Sequence, residues 1–273
     1  MFMMAVAVIL LSILLAGCTS SNGVGNIYLL SLEYTTTSPS IKMGSAQVSS
    51  LIVQAVHNVS HTGNGTALEV RAGYRGLCMT HGDSERVCSP SARVLASLLR
   101  AEEVTTSSGE TITPDPLNLV MIANDFREKI VFDGILFIVI ALCAICLLLL
   151  STIPGFHDNG HGVEEAPFPQ RPAVIGAVLA GWFAFGFSLV SILWQHINSG
   201  STASMTGILT YGTVSGHVGG AAMALGWIAV ALLGIVALGL YVMNAAIELL
   251  RGLVSDVQPL NREDGDSDET GYL

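Results

Sequence analysis

"IVFDGILFIVIALCAICLLLLSTI", residues 130–153, contains a single ionisable group, Asp133, near its start. A helix rises 1.5 Å per residue, so about 20 apolar residues are enough to cross a hydrocarbon core of ~30 Å. The segment therefore predicts a membrane span. Two more runs read the same way, "PAVIGAVLAGWFAFGFSLVSILWQHI" at 172–197 and "HVGGAAMALGWIAVALLGIVALGLYVMNAAIELL" at 217–250. The composition agrees: the chain is 51% hydrophobic and 12% charged, against about 25% charged in an ordinary soluble domain.

The net charge of -10 arises from 21 acidic and 11 basic residues without any Lys/Arg cluster, which argues against nucleic acid as a partner. Much of the acidic excess lies in the C-terminal "NREDGDSDET", which reads as a solvated tail. The Asp264-x-Asp266-x-Asp268 spacing there lacks the glycine and distant glutamate of a complete calcium-binding loop. Signatures of phosphate-binding loops, dinucleotide folds, serine-hydrolase elbows and zinc proteases are absent from the sequence, so it does not read as an enzyme. No cofactor is expected. His57/His61 and His157/His161 are four apart in turn-like segments and read as solvated rather than as helical metal pairs.

The first 18 residues, "MFMMAVAVILLSILLAGC", are compatible with a retained span, a cleaved signal, or a lipoprotein signal with Cys18 lipidated. The lack of a preceding basic segment favours the retained span. Each reading delivers the following segment to the outside. The sequence thus predicts a membrane α-helical fold: a four-helix transmembrane bundle with a small antiparallel β-sheet in its first extracellular loop. Its expected parts are a first transmembrane helix or signal (1–18), an extracellular disulfide-containing β domain (19–129), a second span (130–153), a cytoplasmic loop (154–171), a third span (172–197), a second extracellular loop (198–216), a fourth span (217–250) and an acidic cytoplasmic tail (251–273).

In the outer segment "NIYLLSLEY", "AQVSSLIVQAVH" and "ALEVRAGY" are rich in β-branched, aromatic and Leu residues between Ser/Thr/Gly/Asn turns, which predicts short strands. "SPSARVLASLLRAEE" changes period and predicts a helix with Pro90 at its start and Val94, Leu95, Leu98 and Leu99 as its apolar stripe. A further helix is expected to begin near Pro116 and continue into the span at 130. Asn58-Val59-Ser60 and Asn64-Gly65-Thr66 are N-glycosylation acceptors. In the uncharged loop at 198–216, Met205, Ile208, Leu209 and Tyr211 are expected to pack on the sheet, with contact to another membrane protein as the alternative.

Small residues four apart (Ala173/Ala177/Gly181, Gly176/Ala180/Ala184, Gly220/Ala224, Ala222/Gly226) predict close helix packing in lipid. The spans offer almost no polar or charged lining, because Asp133 and Glu248 both lie near helix ends. This argues against a self-contained pore. Cys143 and Cys146 read as apolar packing. Cys78 and Cys88 fall on the oxidising face, where a bridge would close a turn at Gly82-Asp83; two free thiols are the alternative.

Gly73-Tyr74-Arg75-Gly76-Leu77-Cys78, followed after nine residues by Cys88, resembles the Gly-hydrophobic-hydrophobic-Gly-x-Cys…Cys signature of the fungal pheromone-induced calcium regulator and membrane fusion family, part of the wider claudin-like group. Arg75 stands where that pattern is usually hydrophobic. The resemblance implies a claudin-like fold and a plasma-membrane protein that promotes low-affinity calcium influx and membrane merger in mating or vegetative cell fusion. The implied partners are the bilayer and either other membrane proteins or further copies of the chain. A scaffold of a cortical membrane domain, and a channel subunit binding calcium through Glu69, Asp83 and Glu85, are the alternative readings.

Overall fold

A computed structural model describes residues 1–21, 23–35, 68–81, 85–101, 104–105, 111–112, 115–152, 171–210 and 212–257. Its elements in chain order are α1 (Phe2–Leu15), β1 (Leu30–Tyr34), β2 (Glu69–Ala72), β3 (Leu77–Thr80), β4 (Val87–Ser89), α2 (Ala92–Ala101), β5 (Val104–Thr105), β6 (Thr111–Ile112), α3 (Leu119–Ile130), α4 (Asp133–Ser151), α5 (Arg171–Leu209), β7 (Val214–Val218) and α6 (Gly220–Val257). The strand expected at 46–57, the acceptors Asn58 and Asn64, the His57/His61 and His157/His161 pairs, Asp83, Tyr211 and residues 258–273 of the expected tail lie outside the described residues, while 251–257 of that tail continue α6.

Three helices are long and apolar enough to cross a membrane: α4, the Pro172–Leu209 part of α5 and the Gly220–Gly252 part of α6. In lipid a backbone without internal hydrogen bonds is costly, and no proline interrupts these runs after Pro172. α1 is shorter at 14 residues, or about 21 Å of helix. It packs against α6 and α4 and buries Met4, Ala7, Leu11 and Leu14.

The small residues act as the sequence leads one to expect. A side chain at Gly181 would meet Leu240 of α6, one at Gly176 would meet Leu149 of α4, and one at Gly226 would meet Ile192 of α5. α5 therefore sits between α4 and α6. Cys143 and Cys146 are buried in this packing, with the Cys146 thiol donating to the Ala177 carbonyl at 3.3 Å.

Aromatic contacts gather at one level of the bundle, near the sheet. Trp194 of α5 stacks near Phe132 at 6.1 Å and its indole N–H donates to the Ile130 carbonyl at 3.2 Å, while His196 meets Trp227 of α6 at 6.2 Å. Trp and Tyr favour membrane interfaces because their rings are apolar at one end and polar at the other. Counting about 20 residues inward from this level reaches the end of α4, the start of α5 and the region of Glu248 on α6. The three runs thus have matching lengths of apolar helix on the side of this level away from the sheet.

Beyond that level the expected loop at 198–209 is helix instead, and α5 continues through Leu209. The polar side chains there find partners within the helix, so they can be accommodated in it. The Ser204, Thr206 and Thr210 hydroxyls donate back to the Ser201, Thr202 and Thr206 carbonyls at 2.7–2.9 Å. Ala203 also lies against Gly216 of β7, so closely that a Cβ on Gly216 would fall 2.8 Å from the Ala203 Cα. Met205, Ile208 and Leu209 do not pack on the sheet as expected; they are 58–76% exposed. The segment 214–218, expected to be partly loop and partly span, is strand β7.

The five-stranded sheet has the order β4-β3-β2-β1-β7, with every neighbour antiparallel. Its inner face carries Leu30, Leu32, Tyr34, Val70 and Leu77, each at most 1% exposed. Burial of such side chains contributes about 1.5–3 kcal/mol each. α3 covers part of this face. The Asp115 carboxylate joins the two layers by accepting from the Tyr34 hydroxyl at 2.8 Å and from the Leu119 and Val120 amides at 2.8 and 3.3 Å.

α3 does not run on into α4. Val131 and Phe132 are extended, with ψ of 114° and 92°. The break lets α3 lie on the sheet while α4 turns into the bundle. α2 buries Ala92, Leu95 and Leu99, while Val94 and Leu98 of the expected stripe remain 49% and 42% exposed.

Gly219, at the corner between β7 and α6, lies against the carbonyl of Tyr28 so closely that any Cβ would collide with it. Gly219→Ala should destabilise the protein by about 2 kcal/mol or more, read as a lower thermal midpoint in detergent. Gly134→Ala, where nothing lies within 4 Å of the new carbon, should leave the midpoint within about a degree of wild type. Equal behaviour of the two variants would contradict this packing.

Candidate functional site: the glycine turn and the polar face of the sheet

The turn between β2 and β3 holds the Gly-Tyr-Arg-Gly run and closes with the Gly73 amide donating to the Gly76 carbonyl at 2.9 Å. Both glycines touch the end of α1. A Cβ on Gly73 would meet the Gly17 carbonyl and the Cys18 Cβ, and one on Gly76 would overlap the Cys18 carbonyl. Absence of a side chain is what lets two backbones meet here. Cys18 is fully buried, sits in the left-handed region at φ 57°, and directs its thiol toward the Ile27 carbonyl at 3.5 Å. Tyr74 is 4% exposed and its hydroxyl has no partner among the described residues; burial pushes that phenol's pKa upward. Arg75 points the other way, to the head of α4, with Nε 3.9 Å from the Asp133 carboxylate and the guanidinium 5.6 Å from the centre of the Phe137 ring.

Cys78 and Cys88 pair directly across β3 and β4 and are joined by a disulfide. In the loop-entropy account a bridge across so short a loop contributes about 2–3 kcal/mol. The register sets a row on one face of the sheet: Cys88, Cys78, Arg71, Ser31 and His217 lie side by side on successive strands.

That face carries a polar network. Glu69 Oε1 accepts from the Ser31 hydroxyl at 2.6 Å and from Arg71 Nε at 2.7 Å. Arg71 also lies 4.8 Å from the centre of the Tyr28 ring. Asn26 Oδ1 accepts from Arg71 Nη1 at 3.0 Å and from Arg86 Nη1 at 2.9 Å, which draws the segment before β1 across the sheet. Burial alone would raise the Glu69 carboxyl, but the hydrogen bonds from Arg71 and Ser31 and the charges of Arg71 and Arg86 outweigh it and hold the group below its usual value. Glu69 is therefore committed to the network, while Glu85, the other described carboxylate of the calcium reading, is exposed. Among the described residues no cluster of three or more metal-ligating side chains occurs.

One polar feature departs from the sequence reading of an almost unlined bundle. Ser188, Ser191, Gln195 and Ser199 follow one another at steps of three and four along α5 and are at most 3% exposed. The Ser188 hydroxyl donates to the Phe185 carbonyl at 2.8 Å. Both polar atoms of the Gln195 amide and the Ser199 hydroxyl have no partner among the described residues. A buried amide without a partner costs about 1–3 kcal/mol on the protein scale, so this track suits ordered water. A search for ionisable residues passes over it because its members are neutral; the i, i+3, i+7, i+11 spacing in "SLVSILWQHINS" was the available signal.

The lowered Glu69 pKa fixes a pH dependence. Its contribution to stability is complete above the unfolded value of about 4.3 and is lost as pH falls through the lower folded value. Wild type should therefore lose thermal stability from about pH 5 to about pH 3 more steeply than Glu69→Gln. Parallel curves would show that the pair does not stabilise the sheet.

Residues 52–246 match the family model described as Ca2+ regulator and membrane fusion protein Fig1. No curated protein and no solved structure matches the chain. The family match takes in the glycine turn, both bridged cysteines, α4, α5 and most of α6, well over half of the sequence, and so the chain belongs to the family of the Ca2+ regulator and membrane fusion protein Fig1.

Proposed function

We propose that the protein is a fungal plasma-membrane regulator of low-affinity calcium influx and membrane fusion between touching cells, acting through its outer domain rather than as the pore. One observation carries this reading. The sheet meets the helices through backbone at three places: the glycine turn on the end of α1, Gly219 on Tyr28, and Gly216 on Ala203. A partner engaging the sheet would therefore load α1, α5 and α6 directly. The lining of the bundle supports regulation over conduction. Its buried polar track is neutral and confined to the sheet-side part of α5, Asp133 opens α4, and Glu248 and Arg251 lie in the last three turns of α6. Cation conduction through a bundle of this size calls for charged rings or ranks of carbonyls.

In the same reading α1 is a retained fourth span and the arrangement is claudin-like. The burial of α1 against α4 and α6 supports this, as does the buried position of Cys18. The sheet side is extracellular, with Asn58 and Asn64 glycosylated, while residues 154–171 and the acidic tail are cytoplasmic. The glycine turn and the Cys78–Cys88 pair form the motif that holds the outer domain to the spans. Its partners are a membrane protein or a second copy meeting the outer domain.

The test is purified protein in liposomes loaded with a calcium-sensitive dye. The expected result is calcium entry no faster than in protein-free liposomes. A robust, selective flux from this protein alone would overturn the regulator reading and establish a channel.

A further inference from the structure

A groove of about 570 Å³ opens between α1 and α4 below the glycine turn, within the range of about 300–1,000 Å³ usual for small-molecule sites. Leu15, Phe137 and Ile140 supply apolar walls, Ser12 and Thr19 lie along the α1 side, and Arg75 stands at the top. Its depth is set by the aromatic level of the bundle. Phe137 and Ile140 lie five and eight residues past Phe132, or about 8–12 Å farther into the membrane. The groove thus begins where lipid headgroups lie and descends along the first part of an acyl chain.

The charges at its mouth are paired loosely. Arg75 and Asp133 approach only to 3.9 Å, and their side chains are 58% and 44% exposed. Each retains room for an external partner of opposite sign. The Ser12 and Thr19 hydroxyls already donate, to the Val8 and Ala16 carbonyls at 2.8 and 2.7 Å, so recognition of an acceptor oxygen falls to the Arg75 guanidinium. A lipid with net negative charge would meet Asp133 as a repelling neighbour. A zwitterionic head matches both groups, phosphate to Arg75 and ammonium to Asp133.

We propose that this groove binds one zwitterionic phospholipid, phosphatidylcholine or phosphatidylethanolamine, from the sheet-side leaflet. Its phosphate lies on Arg75 and one chain lies along Leu15, Phe137 and Ile140. The lipid ties the glycine turn to the bilayer surface at the point where the turn also holds α1. The proposal rests on α1 being retained as a span, as in the reading above, and not on whether the protein conducts calcium.

Native mass spectrometry of delipidated full-length protein in detergent tests it, with dioleoylphosphatidylcholine, dioleoylphosphatidylglycerol and water-soluble glycerophosphocholine titrated separately. The expected result is one saturable phosphatidylcholine adduct, weaker phosphatidylglycerol binding and no glycerophosphocholine adduct. Arg75→Ala should weaken the phosphatidylcholine adduct about tenfold or more, since a charge-assisted contact is lost. Ile140→Trp, which fills the apolar part from a different element, should weaken it comparably, and Arg93→Ala on α2 should not change it. If Arg75→Ala does not fold, Ile140→Trp decides alone. Adducts unchanged by Ile140→Trp, phosphatidylglycerol bound as well as phosphatidylcholine, or glycerophosphocholine bound as well as the intact lipid would each overturn the proposal.

Discussion

The structure depends on backbone meeting backbone where the sheet domain meets the helices. At Gly73 and Gly76 the β2–β3 turn takes the Gly17–Cys18 corner of the chain, and at Gly219 the start of α6 takes the Tyr28 carbonyl. Contacts of this kind leave no room for even a methyl group and no slack for sliding. They fix the sheet on the bundle more firmly than side-chain packing alone, because side chains can change rotamer and backbone cannot.

From that constraint the other features follow in order. β7 links α5 to α6 and pairs with β1, so the two longest helices enter the sheet as its edge. The disulfide holds the opposite edge, at β3 and β4. Between the edges the Glu69–Arg71–Ser31 network and Asn26 bind the segment leaving α1 to the polar face. The sheet domain is thereby coupled to the spans from both edges and from its centre.

The parts of this architecture governed by local chemistry were legible in the sequence. Hydropathy located the three long helices, β-branched runs located β1 and β2, and small residues four apart located the helix contacts of α5. The Cys78–Cys88 bridge and the place of the glycines near crowded backbone could be expected, but nothing in the sequence said that the crowding came from Gly17 and Cys18, more than 50 positions away. The helical extension 198–209 was hidden because its Ser, Thr and Gly residues resemble a loop; the tertiary contact of Ala203 with Gly216 favours helix, and hydroxyl back-bonding merely satisfies the polar side chains. β7 was hidden for the same reason, since its pairing with β1 joins segments about 180 residues apart. The break at Val131–Phe132 separates two helices that periodicity alone would join. The buried track around Gln195 escaped because neutral side chains give no charge signal.

The central claim, that sheet and bundle form one cooperative unit, is tested most directly by hydrogen exchange of the full-length protein in nanodiscs, followed by mass spectrometry. Peptides covering 68–80, with the Gly73 amide bonded to Gly76, and peptides covering 214–223, with the Gly219 and Met223 amides bonded to Leu29 and Gly219, report the two sides of the junction. Both should exchange in a single shared opening event of equal free energy, and Gly76→Ala should accelerate both together. Fast, independent exchange of the sheet while residues 214–223 stay protected would contradict it.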